Sequence, residues 1–173
     1  MKIAIIGYSG SGKSTLAAQL SHHYSIPKLH MDRLQFQPGW KDSDRDWMSE
    51  QMDNFLSKNT DWAIDGNYSW CFYERRMAEA DQIIFLNFSR WNCLYRTFKR
   101  YLKYRNRTRE SMAPGCPEKF DWEFISWVLW KGRRHTALAR YNRIRQTFPQ
   151  KFYELRNQKE LNSFLQNLKT SEP

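Results

Sequence analysis

Residues 7–15, Gly-Tyr-Ser-Gly-Ser-Gly-Lys-Ser-Thr, fit the pattern G-x-x-x-x-G-K-[ST] at Gly7, Gly12, Lys13 and Ser14, with Gly10 as an extra glycine inside the loop. Four residues between the outer glycines let the backbone curl round a phosphate so that successive N–H groups point inward. Glycine supplies the backbone angles and the close approach this needs. A helix starting near Lys13 would add its N-terminal N–H groups and positive dipole end. Ser9, Ser11 and Thr15 complete the wall of the loop. Lys13 is placed to reach the β- and γ-phosphates, and the Ser14 hydroxyl to ligate Mg²⁺. The chemistry implied is binding of a nucleoside triphosphate, with ATP and Mg²⁺ as the expected cofactors.

Two carboxylates extend the pattern. Asp65 follows the apolar run Trp62-Ala63-Ile64 and precedes Gly66. Such a carboxylate at the end of a strand can meet Mg²⁺ directly or through water, and the same Asp-Gly pair can simply form a turn. Asp32 closes a second short run, Lys28 to Met31, from where it can hold an acceptor hydroxyl or cap the next turn. Arg105, Arg107 and Arg109 sit in a stretch with loop character, where cations can be delivered to a transferring phosphoryl group. Trp40, Tyr68 and Trp70 are candidates for an aromatic wall, although aromatic residues more commonly fill a core. His22, His23 and His30 have no partners at metal-ligand spacing and read as structural or solvated. The basic set Lys131, Arg133, Arg134, Arg140, Arg143 and Arg145 reads as a solvated helix face.

The elements that must position these residues alternate. Strands are expected at Ile3 to Ile6, Lys28 to Met31, Trp62 to Ile64, Ile83 to Leu86 and Phe152 to Leu155. Helices are expected at 13–24, from Asp44 to Lys58, near 72–79, at 90–103, as one long helix over 121–145 with a kink near Gly132, and at 158–168. Gln37-Pro38-Gly39-Trp40 signals a turn, Asn106 to Lys119 a loop, and Lys169 to Pro173 a frayed tail. This alternation implies an α/β domain with a parallel sheet covered on both faces. Its carboxyl edge would gather the glycine loop, Asp32 and Asp65 into one crevice.

The 173 residues suit a single domain, and 40% hydrophobic with 16% aromatic content excludes a disordered chain. No apolar run approaches a membrane span, and Ile3 to Ile6 is too short for a signal core. Cys71, Cys93 and Cys116 form no C-x-x-C pair and read as reduced thiols, which fits a cytoplasmic location. A net charge of +10 favours anionic ligands without identifying one.

The glycine loop, the Asp-Gly after the third strand and the basic helix resemble adenylate-kinase-type P-loop kinases. More closely, 29–34 (Leu-His-Met-Asp-Arg-Leu), 38–40 (Pro-Gly-Trp), 62–68 (Trp-Ala-Ile-Asp-Gly-Asn-Tyr) and 115–118 (Gly-Cys-Pro-Glu) resemble the bacterial topology-modulation (FlaR-like) proteins. The resemblance spans nearly the whole chain. It implies a P-loop NTPase three-layer α/β/α architecture with sheet order 2-3-1-4-5, an acceptor-side helical insert at about 33–60 and a lid at about 105–120. It implies that Arg96 packs against adenine and Arg100 meets phosphate, Lys13, Asp32 and Arg100 serving catalysis; a solvated basic face with Lys99 and Lys103 is the alternative. It also implies transfer of the γ-phosphoryl group to a nucleotide-like or other small acceptor. One departure bears on that acceptor. Adenylate kinases carry Asp-Gly-Phe-Pro-Arg where this chain has Asp65-Gly-Asn-Tyr-Ser69, so the arginine that holds a monophosphate is missing there, with Arg33, Arg75 and Arg76 as conceivable replacements. A nucleic-acid-associated regulator of DNA topology is the competing class, with the basic charge in its favour and no helix-turn-helix, zinc module or RNA-binding signature. A GTPase-type switch would need an N-K-x-D motif that the chain lacks.

Overall fold

The computed structural model describes residues 1–170. In chain order, β1 (Lys2–Gly7) runs through the glycine loop into α1 (Lys13–His23), β2 (Lys28–His30) and α2 (Met31–Gln35). A hairpin of β3 (Phe36–Gln37) and β4 (Lys41–Asp42) leads to α3 (Arg45–Lys58), β5 (Trp62–Asp65), α4 (Tyr73–Glu79) and β6 (Gln82–Leu86). Then come α5 (Arg90–Tyr104), α6 (Trp122–Leu129), α7 (His135–Thr147), β7 (Phe152–Leu155) and α8 (Gln158–Thr170), with 3₁₀ turns at Lys131–Arg133 and Pro149–Lys151.

The main sheet is parallel and has five strands in the order β2-β5-β1-β6-β7. Counting only strands of this sheet, that is 2-3-1-4-5. Ile3 to Ile6 and Trp62 to Ile64 are fully buried at every successive position. Neighbouring side chains of a strand point to opposite faces, so helices cover the sheet on both sides and the strands form the middle of three layers. Register brings the carboxyl ends together: His30 pairs with Asp65, Asp65 with Ile5, and Gly7 with Leu86.

Of three local expectations, one holds and two change. The second strand stops at His30, and Asp32 lies in the first turn of α2 rather than at a strand end. The stretch from Gln37 to Trp40 is the turn of the β3–β4 hairpin, closed by Trp40 N–H donating to the Gln37 carbonyl at 3.1 Å. The long helix over 121–145 is two helices. Its first half ends because the Arg133 guanidinium takes up the Val128 carbonyl (3.3 Å), so a side chain replaces the next helical N–H. The frayed tail expected from Lys169 lies, beyond Thr170, outside the described residues.

Candidate active site

The helices of this chain start in two ways. Asp44, Ser89 and Asp121 cap α3, α5 and α6 with side-chain oxygens, satisfying first-turn N–H groups. α1, like α2, α4 and α7, has no side-chain cap, and it starts from Gly12 in the left-handed region (φ 100°). Its first N–H groups point without a side-chain partner towards the glycine loop. Gly10 is required by space: a Cβ there would lie 2.5 Å from Thr97 Cγ2 and 2.6 Å from the Cys93 carbonyl oxygen. The Ser11 hydroxyl is buried within the loop with no hydrogen-bond partner. Lys13 Nζ donates to the Tyr8 carbonyl at 3.0 Å, lying back across the loop. Ser9 accepts from the Trp127 indole N–H at 3.2 Å, so α6 leans over the loop.

The segment Asp65-Gly66-Asn67-Tyr68 links four parts of the site in sequence. Asp65, 4% exposed, accepts from Ser14 Oγ at 2.7 Å and faces His30 Nδ1 at 2.5 Å. Gly66 passes so close to α2 that a Cβ would sit 2.7 Å from Met31 Cβ. Asn67 grips Gly7 twice, accepting from its N–H at 3.0 Å and donating to its carbonyl at 2.5 Å. The Tyr68 hydroxyl donates to Asp32 Oδ1 at 2.7 Å. Burial, with the adjacent Asp32 carboxylate, pushes the Tyr68 hydroxyl pKa far above its ordinary value, so Tyr68 is a fixed donor. From below, buried Arg76 donates to the carbonyls of Gly66 (3.3 Å) and Tyr68 (3.0 Å).

One cleft of about 1020 Å³ collects these groups: it is lined by the glycine loop with Lys13, Ser14 and Thr15, by Asp32, Asp65 and Tyr68, and by Arg96, Arg100 and Arg109. Trp40, Tyr68 and Trp70 all line it, Tyr68 and Trp70 edge to face at 6.4 Å. Burial lowers the Lys13 pKa, opposed by the Asp32 and Asp65 carboxylates, which favour its charged form. Arg96 donates to the Ser11 carbonyl (2.6 Å) and to Gln158 (2.7 Å) with its guanidinium over Phe88, bracing the loop from α5. Arg100 pairs with Glu118 at 2.5 Å and keeps a buried Nε without a hydrogen bond.

The segment 105–121 reaches the cleft through Arg109, Met112, Glu118, Lys119 and Asp121. Of its three arginines only Arg109 reaches the site, pairing with Glu118 (3.2 Å) and standing 4.0 Å from Asp32, whereas Arg105 and Arg107 are exposed and do not line the cleft. Glu118, its side chain 3% exposed, joins Arg100 to Arg109. The segment is tied to the β3–β4 hairpin: Gly39 N–H donates to the Gly115 carbonyl (2.9 Å), Trp40 Nε1 to the Pro117 carbonyl (3.0 Å) and Cys116 Sγ to the Gln37 carbonyl (3.1 Å). Met112, Ala113 and Cys116 bury a small apolar cluster there with Phe36 and Trp40.

Several expectations are corrected. None of the three replacement arginines lines the cleft: Arg33 is exposed, Arg75 pairs with Asp53 and Glu79, and Arg76 is buried under the 65–68 segment. The basic stretch from Lys131 to Arg145 is not simply solvated. Arg133 lies 3.7 Å over the Tyr8 ring and donates to the Phe88 carbonyl, while Lys131, Arg134 and Arg140 line the cleft. His30, read as structural or solvated for want of partners at metal-ligand spacing, is buried and faces Asp65; the signal was the parallel register that ends both strands at the same level.

A crystal structure of shikimate kinase from Bacteroides thetaiotaomicron superposes with a TM-score of 0.54 at 17% identity, covering 98% of this chain and 97% of that one. A crystal structure from Chloroflexus aurantiacus gives 0.52 at 13% identity, covering 99% and 98%. A gluconokinase from Sinorhizobium meliloti gives 0.49 at 14% identity, covering 99% and 97%. No family model and no curated protein matches the sequence. The likeness does not reach the topology-modulation or adenylate-kinase level. The protein has the α/β fold of small P-loop kinases.

Proposed function

We propose that this protein is an ATP-dependent phosphotransferase that moves the γ-phosphoryl group to a hydroxyl oxygen of a small molecule. The observation that carries this reading is the 65–68 segment. Its first residue bonds the loop serine and its last bonds Asp32, so the donor and acceptor sides of one cleft share a single support.

Donor binding falls to the uncapped start of α1, the Ser11 hydroxyl and Lys13. The Ser14 hydroxyl and Asp65 carboxylate form an oxygen-only donor set, which suits the hard cation Mg²⁺. When bound there, Mg²⁺ offsets charge on the β- and γ-phosphates. Asp32 Oδ1 is taken by Tyr68, while Oδ2 stands 4.0 Å from Arg109 Nη2, beyond hydrogen-bond reach, and is the oxygen that would take the acceptor hydroxyl. The acceptor oxygen forms a bond to the γ-phosphorus, the bond to the β-phosphate oxygen breaks with its electron pair leaving on ADP, and the hydroxyl proton passes to Asp32. Lys13, Arg100 and Arg109 stabilise the charge that spreads over the transferring group.

None of Arg33, Arg75 and Arg76 is placed to hold a nucleoside monophosphate in the cleft, and the arginine beside the 65–68 segment that does line it is Arg140, on the Asn67 carbonyl. Asp32 in the same cleft suits a reacting hydroxyl. ADP release from ATP and Mg²⁺, assayed with nucleosides, nucleoside monophosphates and small hydroxylated metabolites, tests this. Hydroxyl acceptors should outpace AMP; efficient AMP phosphorylation would restore the adenylate kinase reading. The nucleic-acid regulator gains no support from this site.

A further inference from the structure

The wall of the cleft formed by α7 and the turn before it carries positive charge that donor binding does not use. Arg140 is half-buried and lines the cleft. Its Nη1 donates to the Asn67 carbonyl at 3.3 Å, and its guanidinium lies 5.8 Å from the Tyr73 ring centroid. Among the described residues it has no carboxylate partner. Arg134 and Lys131 line the same wall and are likewise unpaired among those residues. Of the acids flanking this wall in sequence, Asp121 caps α6, Glu123 lies in its first turn, and Glu154 is paired with Arg145 and Arg156. A guanidinium that is partly desolvated and held by one backbone carbonyl keeps most of its donor fork free for a planar anion.

Its place relative to Asp32 gives this charge a meaning. Asn67 anchors Arg140 through its carbonyl, and the next residue, Tyr68, anchors Asp32 through its hydroxyl. Two successive residues thus fix a cation and a hydroxyl-binding carboxylate on one cleft, with Tyr68 and Trp70 as its apolar lining. From this we infer that the acceptor is a hydroxylated acid: its reacting hydroxyl lies at Asp32, and a carboxylate or phosphate at its far end is taken by Arg140, with Arg134 and Lys131 adding long-range attraction. The inference rests on the phosphotransferase reading for the reacting end only. The anion subsite stands on the α7 wall itself.

The experiment separates the two. First, in protein saturated with a non-hydrolysable ATP analogue and Mg²⁺, inorganic phosphate is titrated while the fluorescence of the cleft tryptophans is followed. Saturable binding is expected, weakened by about tenfold or more in Arg140→Met, the scale of one charge-assisted hydrogen bond. Arg143→Met, on the same helix but outside the cleft, serves as the control and should match wild type. Second, ADP release is compared for matched pairs, glycerate against glycerol and gluconate against glucose. The acid should be preferred by about tenfold or more in kcat/KM, and Arg140→Met should bring the ratio towards one. Phosphate binding that is absent, or equal in wild type and Arg140→Met, overturns the subsite. A preference for the neutral partner overturns it as well. If no pair releases ADP yet phosphate binding depends on Arg140, the phosphotransferase reading fails and the anion subsite stands.

Discussion

The Tyr68 hydroxyl donates to Asp32 Oδ1 at 2.7 Å, joining the end of the Asp-Gly-Asn-Tyr segment to the first turn of α2. The bond fixes the carboxylate from one side, and its other oxygen stands 4.0 Å from Arg109. Asp65, three residues before Tyr68, does the same for Ser14. A rigid pair of carboxylates, each held by a hydroxyl, is a preorganised arrangement that a loop of free aspartates would not give.

Asp65→Asn tests the donor half. The amide keeps the shape and can still accept from Ser14, so the fold should persist with a stability change of about 1–2 kcal/mol. Turnover should fall on the order of 10²-fold, with a weaker dependence on Mg²⁺ concentration. A metal titration of initial rates in both proteins reads this directly, and unchanged curves would reduce Asp65 to a turn residue.

Lys13 predicts a pH effect with a definite sign. Burial lowers its pKa from the ordinary 10.5, so the folded state disfavours the charged form. Below the depressed pKa the lysine is charged in both states and the burial penalty acts in full. As pH rises through the folded pKa the folded protein releases the proton first, and the penalty has vanished above the unfolded value of 10.5. Nucleotide-free wild type should therefore gain stability relative to Lys13→Met as pH climbs from 7 towards 10.5. Denaturant midpoints of the two proteins across that range give the difference; a constant or shrinking wild-type advantage would contradict it. The same variant should lose turnover and bind triphosphate weakly.

Arg76 is the fully buried support of the 65–68 segment, its pKa lowered to about 10 by burial. Arg76→Ala removes a large side chain and leaves the Gly66 and Tyr68 carbonyls without their donor. A loss of roughly 3–5 kcal/mol in urea unfolding is expected. Since Arg76 does not line the cleft, ATP affinity measured well below the unfolding midpoint should change far less than in the Lys13 variant.

Much of this site could be read from residue types. Gly7 to Ser14 and Asp65 announce phosphate and metal chemistry because few other uses need that spacing, and the alternation of apolar runs with helical stretches gives the sheet order through a resemblance. What could not be read was pairing between distant side chains. Nothing local says that Asn67 bonds Gly7, that Glu118 joins Arg100 to Arg109, or that Arg140 turns inward while Arg143 stays exposed. The break between α6 and α7 falls where a kink near Gly132 was expected, but its cause was hidden, since Arg133 caps Val128 through a side chain that reads as one more surface cation. His30 was legible in principle, from two parallel strands ending level at His30 and Asp65.

Transfer to a hydroxyl oxygen assisted by Asp32 is tested most directly by isotope. Label from [γ-³²P]ATP should be followed into the best acceptor of the panel in wild type and in Asp32→Asn, with ATP affinity measured alongside. Label is expected on a hydroxyl oxygen, with a fall of about 10²–10⁴-fold in the transfer rate for the variant and little change in ATP affinity. Label arriving on the phosphate of AMP at a rate that Asp32→Asn leaves untouched would contradict it.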